Sequence, residues 1–179
     1  MELYTEYTPN PDTMKFVLTK VIMPLGTAEF TDFDSAKRSG LATELFAMNF
    51  VNRVFFGANF VTITKRPEFE WDAIIPHIGE VILKYVQSGK AVIEETEKTE
   101  DSETDPVIKK IKELIETHIR PAVAMDGGDV IFKDFKDGVV HLQMQGSCHG
   151  CPSSALTLKA GIEGLLTRMI PEVKEVVQV

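Results

Sequence analysis

The chain has 179 residues and a formal net charge of −8 at pH 7, with 27 acidic residues against 19 lysines and arginines. Phosphate backbones repel an acidic chain, so nucleic acid is not expected as a partner. No stretch of the sequence reaches the roughly 18 to 20 apolar residues that a membrane span needs, so no membrane association is predicted.

The first thirteen residues, MELYTEYTPNPDT, have neither the basic and apolar regions of a secretory signal nor the arginine-rich composition of a transit peptide. The sequence therefore predicts a cytoplasmic protein. In a reducing compartment, two cysteines close in sequence favour metal binding or catalysis over a structural disulfide.

Residues 1–93 are predicted to form a first small domain that contains both strands and helices. Hydrophobic periodicity and turn residues define these elements. The predicted elements are a strand over about 14–23, a helix after Ser35, strands 54–56 and 60–65 around a hairpin turn, and a helix over 71–88.

An acidic segment follows this domain. Residues 94–105, EETEKTEDSETD, contain seven acidic residues and one lysine, without any aliphatic or aromatic side chain. Such a segment cannot bury enough apolar surface to offset the entropy lost on ordering. We predict a flexible linker, which carries most of the net charge of the chain.

Residues 106–179 are predicted to form a second domain with the element order α-β-β-α-β. The predicted elements are a helix over 106–121, a strand over about 130–135, a strand over 140–144, a helix over 152–170 and a strand over 173–179. The fold class is therefore α+β, with two small α/β-layer domains joined by the acidic linker.

Two cysteines, Cys148 and Cys151, are the only ones in the chain. An iron-sulfur cluster usually needs four thiolate ligands, and a structural zinc ion needs four cysteine or histidine ligands. The sequence thus supplies half of a site. Two copies could complete it, the pair could act as a redox dithiol, or His149 or His141 could complete a zinc site.

The position of Cys151 immediately before Pro152 places it at the predicted start of a helix. Backbone N–H groups and the helix dipole stabilise a thiolate there, so the sequence predicts a lowered thiol pKa. A cysteine pair between a strand and a helix also occurs in thioredoxin-like proteins, but the preceding hairpin argues against that fold. The zinc alternative lacks a second CxxC pair at finger-like spacing.

The residues around the cysteines resemble the signature of the NifU C-terminal domain, found in Nfu-type iron-sulfur scaffolds. The resemblance rests on three kinds of block. The first is Gly146-Ser147-Cys148-His149-Gly150-Cys151-Pro152-Ser153-Ser154, continuing through residues 157–163. The second is Ile119-Arg120-Pro121 together with Asp126-Gly127-Gly128-Asp129. The third resembles the family's N-terminal domain and comprises Thr8-Pro9-Asn10-Pro11, Phe55-Phe56-Gly57 and residues 60–65.

The resemblance implies a scaffold or carrier rather than an enzyme. Such a protein would bind a 4Fe-4S cluster, or the alternative 2Fe-2S type, through Cys148 and Cys151 of two chains in a homodimer. Its partners would be an upstream assembly scaffold and apo iron-sulfur client proteins. His149 is then expected to be a solvent-facing loop residue. The segment from Asp126 to Asp129 is expected to form a turn, with a position close to the cluster as the second interpretation.

Overall fold

The structure is a computed structural model that describes residues 1–94, 104–151 and 154–179. The chain divides into two compact units, Met1–Glu97 and Lys98–Val179. Both units contain helices and strands, which confirms the predicted α+β class. Most of the predicted acidic linker lies outside the described residues, as does Pro152.

Within the described residues, the first unit contains a five-stranded antiparallel sheet with the strand order β1-β2-β5-β4-β3. The strands are β1 Leu3–Tyr7, β2 Thr13–Leu18, β3 Ala28–Phe30, β4 Val51–Phe56 and β5 Phe60–Lys65. The predicted hairpin corresponds to β4 and β5, whereas the two edge strands β1 and β3 were not predicted.

Strand β2 ends at Leu18, earlier than predicted. The amide N–H groups of Ile22 and Met23 both donate to the carbonyl of Ala58, at 2.8 and 3.0 Å. Both side chains are buried, at 8% and 4% exposure. Their apolar character therefore serves the packing of a loop against the β4–β5 turn, and does not extend the strand.

The helices of the first unit are α1 Phe33–Ala36, α2 Gly40–Phe46 and α3 Trp71–Gln87. The helix predicted after Ser35 corresponds to α2 and begins only at Gly40, because Ser39 caps it by accepting a hydrogen bond from Ala42 N at 3.1 Å. Ser35 itself lies in the separate short helix α1. Apolar residues of α2 and α3 pack on one face of the sheet and form the core of this unit.

The second unit follows the predicted order α-β-β-α-β. Its elements are α4 Pro106–Leu114, a π-helical turn Ile115–Ile119, α5 Arg120–Met125, β6 Gly128–Lys136, β7 Val139–Gly146, α6 Ser154–Met169 and β8 Glu175–Gln178. Strand β7 is central in the sheet, antiparallel to β6 and parallel to β8. No helix in the described ranges is long and apolar enough to cross a membrane.

The first helix of this unit does not end at Pro121 as predicted. Proline lacks a backbone N–H and its ring crowds the preceding turn, so it normally breaks a helix. Here the chain widens into the π-helical turn just before it and then continues as α5, with Pro121 in the first turn. Arg120 and the residues up to Met125 thereby stay helical and lead directly into β6.

Candidate metal centre

The cysteine loop connects the end of β7 to the start of α6. The strand ends at Gly146, and the His149 N–H donates to the Gly146 carbonyl at 3.1 Å to form a tight turn. Gly146 and Gly150 have positive φ angles of 66° and 70°. Glycine adopts such angles without steric cost, which allows the loop to fold tightly at these two positions.

Both cysteines are free thiols and both are buried, with exposures of 3% for Cys148 and 1% for Cys151. Cys148 belongs to the apolar core of the second unit together with Met144. Burial raises the pKa of the Cys148 thiol to about 11, and a hydrogen bond with the Ser147 side chain offsets this only in part. The lowered thiol pKa predicted from the helix start concerns Cys151 and stays a prediction, whereas desolvation gives Cys148 the opposite shift.

The segment from Asp126 to Gly128 forms one wall of the cysteine loop. The Ser147 hydroxyl donates to the Asp126 carbonyl, and the Ser147 N–H donates to the Gly127 carbonyl at 3.2 Å. Gly127 has a φ of 82°, which supports the turn predicted for this segment. The turn also contacts the cysteine loop, whereas its position relative to a cluster stays a prediction.

Gly128 is the closest part of this wall to the thiol. It pairs with Gly146 across the β6–β7 ladder. A Cβ atom built on Gly128 would lie 2.7 Å from Cys148 Sγ and 2.7 Å from the Gln145 carbonyl oxygen. Any side chain at this position would therefore displace either the thiol or the neighbouring strand.

A largely buried ion pair between Arg120 and Asp129 connects the wall to helix α5. Arg120 donates through Nε to Asp129 Oδ1 and through a terminal nitrogen to Oδ2, both at 2.8 Å. The hydrogen bonds and charge of Asp129 raise the pKa of Arg120 above its ordinary value. Asp129 is only 3% exposed and also accepts from the Val130 N–H at 2.8 Å.

The histidines do not complete a site with the cysteines. His149 is exposed, and its Nδ1 lies 3.4 Å from the Met144 carbonyl oxygen, as expected for a loop residue facing solvent. His141 is in the middle of β7 and pairs with Val177 of β8. Among the described residues, no group of three or more histidine, cysteine, aspartate or glutamate side chains could hold a metal ion.

The topological argument against a redox protein is wrong. Because β7 and β8 are parallel and α6 connects them, the cysteine loop lies in a β-α-β unit, as it would in a thioredoxin-like protein. Burial and the raised pKa of Cys148 count equally against a redox dithiol and against a metal ligand in this conformation, since both functions need the thiolate.

Comparison with protein families identifies two matching regions. A family described as NifU-like domain matches residues 111–177. A family described as Scaffold protein Nfu/NifU N terminal matches residues 3–89. The first match includes Cys148, Cys151, the wall from Asp126 to Gly128 and Asp129.

Relatives match the chain from end to end. NFU1 iron-sulfur cluster scaffold homolog, mitochondrial, from Homo sapiens is 45% identical over 100% of this chain and 72% of its own length. NifU-like protein 5, mitochondrial, from Arabidopsis thaliana is 42% identical over 99% of this chain and 68% of its own length. A solution NMR structure of a NifU-like protein from Saccharomyces cerevisiae has a TM-score of 0.49 at 25% identity, covering 54% of this chain and 87% of that one.

The names of these relatives contradict the predicted cytoplasmic location, since both proteins are mitochondrial. That prediction rested on the composition of the first thirteen residues alone. Their composition does not determine the compartment.

Proposed function

This chain belongs to the Nfu-type family of iron-sulfur cluster scaffold proteins, and we propose that it holds a cluster on Cys148 and Cys151 and transfers it to apo-proteins. The observation that carries this proposal is the pair of cysteines in one glycine-flanked loop, built against the wall from Asp126 to Gly128. The protein is then a carrier rather than a catalyst. We also propose a mitochondrial location, which cell fractionation with immunodetection would test.

The number of thiols supports a cluster shared by two chains. A 4Fe-4S or 2Fe-2S cluster takes four cysteine ligands, and each chain has two. Among the described residues, no histidine or carboxylate joins the pair in a group of three that could hold a metal ion. We therefore propose a homodimer in which Cys148 and Cys151 of both chains hold one 4Fe-4S cluster, received from an upstream assembly scaffold.

Binding of a cluster requires a change in the protonation and in the conformation of the cysteine loop. Only the thiolate is a metal ligand, so each thiol must lose its proton when the cluster binds. Both thiols are also buried in the present conformation, so the loop must open toward a second chain while Ser147 keeps it attached to the wall. When two chains separate, thiols of a client protein can replace the scaffold thiols one at a time. Returning Cys148 to its buried position would then favour release.

Anaerobic reconstitution tests the proposal directly. The purified chain is incubated with ferrous iron, sulfide and a thiol reductant, and is then separated by size-exclusion chromatography. We expect a brown species of dimer mass with about four iron and four sulfide per two chains, because two chains supply four thiolates. Mixing it with an apo-protein that needs a 4Fe-4S cluster should move the iron to that protein.

Three results would each contradict the proposal in a different way. About two iron and two sulfide per dimer would replace the cluster type with 2Fe-2S. Zinc retained at one ion per two chains would indicate a structural site. A colourless monomer that reduces disulfides catalytically would indicate a thiol-disulfide oxidoreductase.

We further propose that residues 1–93 and 106–179 fold as separate domains on either side of the acidic linker 94–105. Each unit has its own buried apolar cluster, one built on the five-stranded sheet and one on the three-stranded sheet. Only the second contains cysteine. The first domain would then contribute recognition of partners rather than ligands for the cluster.

A core substitution tests this independence. Phe56 is fully buried and its ring packs edge to face on Phe30, with ring centroids 5.2 Å apart. We expect Phe56→Ala to destabilise the first domain by about 3 to 5 kcal/mol, because it leaves a cavity in the core. In calorimetry of the full chain, one unfolding transition should move to lower temperature and the other should stay.

The control for this experiment is Val21→Ala, since Val21 is 57% exposed and its replacement should change stability by less than about 0.5 kcal/mol. If Phe56→Ala lowers the temperatures of both unfolding transitions together, the two units unfold as one and the proposed division is wrong.

A further inference from the structure

We propose that Arg120 is a positioning residue for Cys148. Through its two hydrogen bonds to Asp129, it holds in place the wall against which the thiol packs. This inference rests on the proposed function, since it concerns the same cysteine pair. It adds a residue that lies 28 positions before the cysteine and acts on it through the backbone.

The geometry of the ion pair is that of a rigid clamp. Two parallel hydrogen bonds of 2.8 Å fix both the distance and the orientation of the Asp129 carboxylate. The side chain of Asp129 is 4% exposed and that of Arg120 is 26% exposed, so water competes little for the carboxylate. Glu116, one helical turn earlier, accepts from the remaining terminal nitrogen of Arg120 at 2.6 Å.

The clamp acts on the wall at its C-terminal end. Asp129 directly follows Gly128, whose Cα faces the Cys148 thiol closely enough to exclude a Cβ atom. Gly128 in turn pairs with Gly146, which ends β7 and starts the cysteine loop. Fixing Asp129 therefore fixes both the surface that Cys148 contacts and the point from which its loop departs.

Helix α5 positions Arg120, the cationic member of the ion pair. Arg120 begins α5 immediately after the π-helical turn, and this turn changes the direction in which the following side chains project from the helix. Pro121 would ordinarily end a helix at this point. Because the π-helical turn accommodates the proline, Arg120 remains on a rigid element when it reaches Asp129.

Two variants distinguish the effect of the paired hydrogen bonds between Arg120 and Asp129 from the effect of the positive charge of Arg120. Arg120→Lys keeps the positive charge but loses the planar fork that binds both carboxylate oxygens. The double variant Arg120→Met with Asp129→Asn removes both charges together, so that neither charge is left buried and unpaired. If the lysine variant fails to fold, the double variant still tests the proposal.

The matched control is Arg53→Lys in the first unit. Arg53 lies 3.5 Å from Glu29, and their side chains are 21% and 7% exposed, close to the values for Arg120 and Asp129. This variant makes the same arginine-to-lysine change in an ion pair of similar exposure that involves neither the wall nor the cysteine loop, although its Arg53 Nη1 makes no hydrogen bond.

The first readout uses the apo-protein, at a fixed pH and with no metal present. Alkylation of Cys148 by iodoacetamide is followed by peptide mass spectrometry. We expect roughly tenfold faster labelling in both Arg120 variants and an unchanged rate in Arg53→Lys, because the loosened wall exposes the thiol more often. The second readout is the loss of the reconstituted cluster to a chelator, which should be about 10 to 100 times faster in both Arg120 variants.

An unchanged Cys148 labelling rate in a folded Arg120 variant would overturn the proposal, whatever its thermal stability. Equal acceleration in Arg53→Lys would also overturn it, because the faster labelling would then not depend on the wall. If the wild-type chain binds no cluster at all, the proposed function fails, yet the labelling experiment still decides the role of Arg120.

Discussion

Replacing Cys148 with serine is expected to reduce the bound iron after anaerobic reconstitution to below about one tenth of the wild-type value, because a dimer then keeps two of four thiolates. Serine is close to cysteine in volume but buries a hydroxyl in the apolar core, at a cost of about 1 to 3 kcal/mol, so calorimetry should confirm that the second unit is folded. Cys151→Ser should have the same effect. Iron and sulfide per chain, together with the visible absorbance of the cluster, measure the outcome.

His149→Ala is the matched control within the same loop. The His149 side chain is exposed, and its Nδ1 lies 3.4 Å from a backbone carbonyl oxygen, a weak contact. We expect wild-type cluster content in this variant. Loss of metal from His149→Ala, with metal retained in Cys148→Ser, would instead indicate a mononuclear site that uses the histidine.

A mixed dimer makes the sharing of the cluster testable. Two differently tagged chains are co-expressed, one of wild-type sequence and one with both cysteines replaced by serine, and the dimer carrying both tags is isolated. Such a dimer has only two thiols and is expected to hold no cluster. A full cluster in the mixed dimer would show that a single chain binds it without thiols from its partner.

The elements that could be predicted from the sequence are those whose pattern is local. Helix α3 was predicted over 71–88 and runs over Trp71–Gln87, because its apolar residues recur at helical spacing along a single stripe. Strands β4 and β5 flank a recognisable hairpin turn. The order α-β-β-α-β of the second unit follows from the same kind of evidence, and the structure reproduces it.

The elements that were missed depend on tertiary contacts. Strand β1 has no strong apolar alternation, since Tyr4 and Tyr7 are exposed, and its pairing with β2 is what defines it. Strand β3 has only three residues. The π-helical turn before Pro121 was also missed, because a proline in a helical pattern ordinarily predicts an end.

In the cysteine loop, too, local features could be predicted and features set by tertiary contacts could not. Its location between a strand and a helix could be inferred from the sequence, whereas the state of its thiols could not. Burial raises a thiol pKa and opposes the effect of a helix start, and the depth of burial depends on how the wall packs. The contact of Gly128 with Cys148 joins residues 20 positions apart, and neither hydrophobic periodicity nor composition indicates it.

Gly128→Ala is expected to abolish stable cluster binding with the cysteines intact. The added Cβ would meet Cys148 Sγ and the Gln145 carbonyl oxygen at 2.7 Å, where ordinary contacts need more than 3 Å. Either the thiol or strand β7 must move, at a cost of about 1 to 3 kcal/mol in the stability of the second unit. Iron content after reconstitution and calorimetry of the apo-protein measure the two effects.

Gly164→Ala in helix α6 separates this contact from the general effect of adding a methyl group. Among the described residues, no atom lies within 4 Å of a Cβ built on Gly164. Alanine there should stabilise the helix by about 0.5 to 1 kcal/mol and leave the cluster content unchanged. Normal cluster binding by Gly128→Ala would mean that the cysteine loop leaves the wall before it meets the cluster, so that binding does not depend on Gly128. The wall would then serve only the apo-protein, and its close fit to the thiol would protect Cys148 without helping to bind iron.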